Sequence, residues 1–338
     1  MLRSFLFAIS IAALSTTVSA KETAPLPSKA ITIATSYTLA SRAFGDDREI
    51  NVRLPASYEK AKEKRKYPVL YVVDGAVSQD FEHIAGLAHH GEISGTFDEF
   101  IVVGVQTKKR IYELTFPADD ERYTKYQKPN GGSDKFRDLL TKEVMPWVNA
   151  KYRTNGHDAI IGESLAGLFI METFLKYPKM FDSYISISPS LWWDKESLGA
   201  ETPALLAKHD QIARKLYITM ANEGGTMQRG LDAVLATLKS KMPKGLSWTY
   251  VDRRDSEFHG SIYHLAALDA LRTLYGKPHR TGVPSDATWL FTGDVPGLSE
   301  MAKENVKKPC NHDNAVKVSY AEIDKDPAKW RGMCVLAN

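Results

Sequence analysis

The stretch of residues 159–170 constrains the fold of this chain more than any other feature of its sequence. The short apolar run Ala-Ile-Ile at 159–161 is typical of a buried parallel strand. The segment Gly-Glu-Ser-Leu-Ala-Gly at 162–167 then predicts a sharp turn into an amphipathic helix. Apolar residues recur at helical spacing on the inner face of that helix: Leu168, Met171, Phe174 and Leu175. Such a turn holds its central serine, Ser164, in strained backbone geometry with the hydroxyl exposed.

The residues around this serine follow a variant of the pattern Gly-x-Ser-x-Gly. Small residues are needed there because strand and helix pass close together. Ala166 occupies the second glycine position, and Gly167 follows one residue later. Short strings of this kind also occur by chance, but the strand predicted before it and the helix predicted after it make the pattern specific. We therefore predict that Ser164 is a catalytic nucleophile.

Buried strands and helices alternate over residues 67–275. The predicted strands cover 67–73, 100–105, 184–187, 216–220 and 248–251, in addition to the strand before Ser164. The alternation predicts an α/β fold with a doubly wound, mostly parallel sheet that binds ligands at the carboxyl ends of its strands. Before this region, residues 31–54 show the alternating pattern of two strands, one on each side of Gly-Asp-Asp at 45–47. This pattern predicts an antiparallel hairpin.

The first 20 residues have the pattern of a cleavable signal peptide. Arg3 supplies the positive charge, residues 5–14 are apolar, and Val-Ser-Ala at 18–20 is a cleavage site. The apolar segment is too short to span a bilayer comfortably, and no other long apolar run exists. We expect the mature protein to begin near Lys21 and to be exported to the periplasm or secreted.

Residues 21–276 are predicted to form the α/β domain, and residues 277–338 form a small C-terminal appendage in which the alternation stops. Cys310 and Cys334, both in this tail, are the only cysteines. In an exported protein a lone pair predicts a disulfide; two separate thiols are the alternative.

Composition and motifs exclude several functions. The formal net charge is +3 and no sustained Lys/Arg stripe occurs, which argues against a nucleic-acid partner. The metal-protease motif and the usual cysteine and histidine ligand spacings are missing, so no metal is expected. Without a phosphate-binding or dinucleotide-binding loop, no cofactor is expected either. The kind of partner that these observations leave is a small-molecule substrate.

A serine nucleophile requires a general base, and a histidine base requires a group that orients it. In the fold to which this turn belongs, the chain order is serine, acid, histidine, each at a strand end. His259 lies between the last predicted strand and the last helix, and Glu223 follows the strand at 216–220. We predict that they are the base and the acid. Three carboxylates closer to His259 in the sequence are the alternatives: Asp252, Asp255 and Glu257.

The oxyanion hole is expected to use two backbone N–H groups. One belongs to Leu165, directly after the nucleophile. The other is expected in the loop that follows residues 67–73, at Ala76.

Three residues are candidates for substrate binding. Trp192 and Trp193 follow a strand end, where they either form a wall of the pocket or pack in the core. The region 106–132 has no periodicity, and a connection of that length is usually a functional loop. Arg110 in this loop, together with Arg122, is either a ligand for an acidic substrate or a solvated side chain.

Five sequence blocks, in order, carry a family resemblance. They are Leu-Tyr-Val-Val-Asp-Gly at 70–75, Gly-Gly-Ser at 131–133, the segment 162–167, Ile-Ser-Pro-Ser-Leu-Trp-Trp-Asp at 187–194 and His-Gly-Ser at 259–261. Together they resemble the putative-esterase branch of the α/β-hydrolases over about residues 31–275. The block at 187–194 is most similar to the siderophore (trilactone) esterase-like group.

The resemblance implies an α/β-hydrolase fold and a serine esterase. Together with the predicted export and the long loop, it fits a siderophore lactone and a small aryl or acyl ester equally well as the substrate. It also implies a serine and a histidine acting together, in some members with a weak or absent acid. Two departures are Glu163, where the family often has histidine, and Ala166. A catalytically silent binding protein and an acyltransferase are the alternatives.

Overall fold

The computed structural model describes residues 28–61, 65–118, 120–121, 125 and 128–276, together with 288–290, 316–319, 322, 325–326, 329 and 335–337. The predicted signal peptide, Arg122 and the predicted Cys310–Cys334 disulfide lie outside these residues. Within them, no helix is long and apolar enough to cross a membrane.

In the described part of the chain, eight strands form one sheet in the order β1-β2-β4-β3-β5-β6-β7-β8. Their bounds are Thr35–Ser41 (β1), Asp46–Arg53 (β2), Tyr67–Val73 (β3), Ile101–Val105 (β4), Thr154–Glu163 (β5), Ser183–Ile187 (β6), Lys215–Met220 (β7) and Ser247–Asp252 (β8). Strand β2 is antiparallel to β1 and β4, and all other neighbours are parallel. The predicted α/β-hydrolase fold, with its N-terminal hairpin and mostly parallel sheet, is confirmed.

Helices connect these strands. Their bounds are Phe81–Ile93 (α1), Arg110–Leu114 (α2), Ser133–Asp138 (α3), Met145–Lys151 (α4), Leu165–Lys176 (α5), Trp193–Leu206 (α6), Gly225–Ser240 (α7) and Ile262–Tyr275 (α8). A π-helical segment, Leu139–Val144, joins α3 to α4. Helix α2 lies inside the region 106–132, where the sequence showed no periodicity.

Alternate residues of the central strands enter two apolar cores. Tyr71 and Ile160 pack on the face covered by α3, α5, α6 and α7. Leu70 and Ile161 pack on the other face, against α1 and α8. Because helices cover both faces of the sheet, side chains on both faces of these strands are apolar. Each strand is therefore a continuous apolar run in the sequence.

Helix α5 is buried on all sides over residues 165–175, and not only on the inner face that its apolar spacing predicted. The prediction of an amphipathic helix is wrong in this respect because α2 and α6 also pack against it. Glu172 on this helix is 1% exposed and accepts a hydrogen bond from Nη1 of Arg137 at 2.9 Å. A buried carboxylate is tolerated there because the guanidinium neutralises it.

The C-terminal part contains a separate three-stranded sheet. It consists of Thr288–Leu290 (β9), Val316–Val318 (β10) and Val335–Ala337 (β11), in the order β10-β11-β9. Strand β10 is parallel to β11, and β9 is antiparallel to it. The division of the chain near residue 276 stays a prediction.

Strand β5 and helix α5 are in close contact where the chain turns between them. A Cβ atom added to Gly162 would lie 2.5 Å from the Cβ of Ala166, and one added to Gly167 would lie 2.8 Å from the carbonyl oxygen of Ile187. Both distances are shorter than side chains allow. The small residues predicted around Ser164 are therefore a steric requirement of this fold.

We expect Gly162→Ala to destabilise the protein by about 1–3 kcal/mol through overpacking. Ala166→Gly costs about 1 kcal/mol as a helix glycine. In the double variant the added methyl occupies the space that Ala166 vacates, so its loss of stability should be smaller than the sum of the two. Denaturant unfolding of the four proteins measures this coupling.

Gly86→Ala is the matched control, because nothing lies within 4 Å of a Cβ at this helical glycine. It should leave the stability unchanged or raise it by up to about 1 kcal/mol. Strict additivity of the Gly162 and Ala166 substitutions would contradict the steric account.

Candidate active site

Ser164 lies at the tight turn between β5 and α5 in an unusual backbone conformation, with φ +61° and ψ −118°. Three hydrogen bonds hold it there. The N–H of Ser164 donates to Ile187 O (3.0 Å), and its own carbonyl oxygen accepts from the N–H groups of Leu168 (2.9 Å) and Ser190 (3.0 Å). A non-glycine residue with positive φ persists only where its surroundings enforce it. This geometry exposes the Ser164 hydroxyl at the carboxyl end of the sheet.

His259 and Glu223 meet at the same end of the sheet. Glu223 lies in the loop after β7, and His259 in the loop between β8 and α8. Nδ1 of His259 is 2.6 Å from Oε1 of Glu223, within the range of a short charge-assisted hydrogen bond. The Glu223 side chain is 8% exposed and that of His259 is 44% exposed, so a buried carboxylate orients an accessible imidazole.

The competing carboxylates make other contacts. Oε2 of Glu257 accepts a hydrogen bond from the Ser261 hydroxyl at 2.5 Å, just before α8 begins. Asp252 pairs with Arg254. Asp255 makes no side-chain hydrogen bond to His259 in the described part of the chain. The structure therefore brings Glu223, and none of these three, to the histidine.

Ser164, Glu223 and His259 all line one cavity of about 570 Å³. The Ser164 hydroxyl is 3.3 Å from the hydroxyl of Ser190, and within the described residues it makes no hydrogen bond to His259. Because Glu223 engages Nδ1, Nε2 is the ring nitrogen that is left for the serine. Catalytic hydrogen bonds are often long in unliganded enzymes and tighten in the substrate complex.

The two predicted oxyanion donors are placed differently. Leu165 lines the cavity and is the first residue of α5, where a backbone N–H has no acceptor within the helix. Ala76 is not among the described residues that line the cavity, and its N–H donates to Oε1 of Gln79 at 3.1 Å. The structure therefore does not give Ala76 the position that the sequence predicted.

Trp192, Trp193 and Arg110 all line the cavity, as expected of substrate-binding residues. Trp193 is also a core residue, since it is 1% exposed and its Nε1 donates to Phe116 O at 2.9 Å. Trp192 is half-buried and contacts Trp193 edge to face, with ring centroids 5.7 Å apart. Both interpretations of this pair, pocket wall and core packing, therefore apply.

Glu163 belongs to a group of acidic residues beside the nucleophile. Burial raises the pKa of its carboxyl to about 7, and Oε1 has no hydrogen-bond partner among the described residues. Burial, together with the charge of Asp74, raises the pKa of Asp80 to about 6. The charge of Arg110 opposes both shifts. Much of the Glu163 population is therefore protonated near neutral pH.

Sequence reasoning missed Asp74 and Ser190 as parts of this site. Oδ2 of Asp74 accepts a hydrogen bond from Nε of Arg110, a cavity residue, at 2.7 Å. Asp74 directly follows β3, and its carboxyl-end position in a parallel sheet was the available signal. Ser190 lies in the block at 187–194, but its approach to Ser164 depends on tertiary structure that no local pattern specifies.

The fold and this constellation define a serine ester hydrolase, and comparisons with known proteins agree. A family model described as "putative esterase" matches residues 41–262. The apo-salmochelin esterase of Escherichia coli O6:H1 is 32% identical over 228 residues, which cover 62% of this chain and 70% of the esterase. The protein YbbA of Bacillus subtilis is 25% identical over 249 residues, which cover 70% of this chain and 95% of YbbA.

A solved structure is also similar. The crystal structure of an IroE-like serine hydrolase from Shewanella oneidensis has a TM-score of 0.63 and 28% identity, and the match covers 72% of this chain and 80% of that one. The present chain belongs to the putative esterase family and resembles its siderophore esterases.

If Glu223 orients His259, Glu223→Gln keeps the shape of the contact but removes the charge that stabilises the imidazolium. We expect kcat for ester hydrolysis to fall at least about 100-fold. Glu257→Gln is the matched control and should stay within a few-fold of the wild type, because its carboxylate contacts Ser261 instead.

Steady-state kinetics of the two variants beside His259→Ala decides the point. A Glu223→Gln enzyme within a few-fold of the wild type, with His259→Ala inactive, would mean a Ser164–His259 dyad. A large loss in Asp255→Asn instead would mean that the acid has been misassigned.

Proposed function

We propose that this protein is an exported serine esterase in which Ser164, His259 and Glu223 act as nucleophile, base and acid. The observation that carries the proposal is the shared cavity. It joins a serine of enforced positive φ to a histidine whose Nδ1 lies 2.6 Å from a buried carboxylate. The predicted signal peptide supports the assignment to the periplasm or the exterior.

In the first half of the reaction, Ser164 Oγ attacks the ester carbonyl and His259 Nε2 takes its proton. Glu223 accepts the hydrogen bond from Nδ1 and stabilises the imidazolium. The N–H of Leu165 donates to the tetrahedral oxyanion. The alcohol leaves with the proton from His259, which produces an acyl-enzyme on Ser164. Water, activated by the same histidine, then releases the acid.

We propose a siderophore lactone as the substrate, with small aryl or acyl esters as weaker ones. Support comes from relatives whose names state such activity, including the apo-salmochelin esterase. The cavity of about 570 Å³ has apolar walls at Ile111, Trp192 and Met227, and its described lining includes the guanidinium of Arg110. Such walls suit aromatic acyl groups, and the guanidinium suits acidic or phenolic oxygens.

The test assays the purified protein on p-nitrophenyl acetate, p-nitrophenyl butyrate, methyl ferulate and enterobactin. We expect all four to be hydrolysed and enterobactin to have the highest kcat/KM. In Ser164→Ala, turnover should fall by several orders of magnitude, because the covalent nucleophile is lost, while thermal unfolding stays cooperative.

Other outcomes are informative. Unchanged turnover in Ser164→Ala would end the serine-esterase proposal. Binding of the esters without turnover by the wild type would indicate a silent binding protein. Transfer of the acyl group to an added alcohol in preference to water would indicate an acyltransferase.

A further inference from the structure

The hydroxyl of Ser190 is buried beside the nucleophile. Its Oγ is 3.3 Å from Oγ of Ser164, and Ser190 is 2% exposed and lines the same cavity. Among the described residues, the Ser164 hydroxyl is the only hydrogen-bond partner of the Ser190 hydroxyl. A reaction carried by Ser164, His259 and Glu223 leaves this buried hydroxyl without a role.

Backbone contacts fix Ser190 in this place. Its N–H donates to the carbonyl oxygen of Ser164 at 3.0 Å, and its own carbonyl oxygen accepts from the N–H of Trp193 at 3.1 Å. Pro189, the residue before it, has a fixed φ. The Cα of Pro189 would lie 3.0 Å from a Cβ added to Gly167, so this segment is in close contact with the first turn of α5. A hydroxyl held this rigidly needs no reorganisation when charge forms next to it.

The direction of the hydrogen bond between the two serines follows from their protons. Each hydroxyl has one proton, so one serine is the donor and the other is the acceptor. Ser164 gives its proton to His259 when it attacks, so in the reactive arrangement Ser190 is the donor. This arrangement also satisfies the buried hydroxyl of Ser190, which has no other acceptor among the described residues.

The charge on Ser164 Oγ changes during the reaction. In the acyl-enzyme, Oγ is an ester oxygen and a weak acceptor, because its lone pair is delocalised into the carbonyl group. When the acyl-enzyme is hydrolysed, the bond between the acyl carbon and Oγ breaks and Oγ keeps the electron pair. A hydrogen bond to a charged oxygen is shorter and about twice as strong as one between neutral groups. The contact of 3.3 Å is long for two hydroxyls and is expected to shorten at this step.

We propose that Ser190 is a further catalytic residue, whose hydroxyl donates a hydrogen bond to Ser164 Oγ as this oxygen leaves the acyl group. The proposal rests on the esterase function proposed above. Ser190 transfers no proton. Water supplies the oxygen of the released acid and gives a proton to His259, which returns it to Ser164 Oγ. Deacylation gains more from the contact than acylation, because the free Ser164 hydroxyl already accepts this hydrogen bond before it attacks.

Kinetics on p-nitrophenyl acetate separate the two half-reactions. The value of kcat/KM reports acylation, and the steady rate reports deacylation when an acyl-enzyme accumulates. In Ser190→Ala, kcat should fall about 10- to 100-fold, which is less than the loss of an oxyanion donor causes because His259 also neutralises this oxygen. KM should fall with kcat, so that kcat/KM stays within a few-fold. Stopped-flow absorbance should show a burst of one p-nitrophenol per Ser164.

Ser186→Ala is the matched control. Ser186 on β6 is 0% exposed, its hydroxyl donates to Gly167 O at 2.9 Å, and it is not among the described residues that line the cavity. This variant loses the same atom and should keep kcat and KM within a few-fold of the wild type. Ser190→Thr retains the donor and should keep them as well. If Ser190→Ala does not fold, Ser190→Cys, whose S–H is a weak donor, should show the same pattern with a smaller loss of kcat.

The proposal is overturned if Ser190→Ala keeps the kcat of the wild type, or if kcat and kcat/KM fall together, which is the pattern of a structural role. A rise in kcat/KM would also overturn it, because Ser190 would then be an acceptor that keeps the Ser164 proton from His259. A wild-type protein without any esterase activity would instead overturn the proposed function itself, so the two failures are distinct.

Discussion

The close crossing of strand β5 and helix α5 is the constraint on which the rest of the site depends. Gly162 and Ala166 leave no room for another methyl group between them, and the turn at Ser164 has a φ of +61°. Strand β5 lies between β3 and β6 in the middle of the sheet, so the loops of its neighbours surround the serine. The residues that form the cavity therefore come from loops and from the first turns of helices that are far apart in the chain but adjacent at one sheet edge.

The two carboxyl groups near Ser164, those of Glu223 and Glu163, lie in different environments. Glu223 is buried against His259, and a backbone hydrogen bond from Asn222 to Glu257 O (2.9 Å) joins the two loops that carry them. Glu163, also close to this site, has a carboxyl whose pKa is raised by burial to about 7. Protonation of Glu163, which at this pKa is about half complete at pH 7, reduces the like-charge repulsion between Glu163 and Glu223.

Local patterns and chain order were sufficient to predict much of this site. The apolar run before Gly162 specified a buried strand, and the order of the strands indicated which histidine and which carboxylate meet. The prediction that the N–H of Ala76 belongs to the oxyanion hole did not allow for the side chain of Gln79. Its Oε1 accepts the hydrogen bond from that N–H. The complete burial of α5 and the contacts of Arg110 come from elements distant in sequence, which periodicity within one segment does not report.

The account stands on Ser164 as a nucleophile activated by His259, and covalent trapping tests it most directly. The wild-type protein is treated with a fluorophosphonate and measured by intact-mass and peptide mass spectrometry. We predict one adduct per chain, on the peptide that contains Ser164, and labelling at least about 100-fold slower in His259→Ala because the serine loses its base. An adduct on a different residue, or equal labelling rates in the two proteins, would contradict the account.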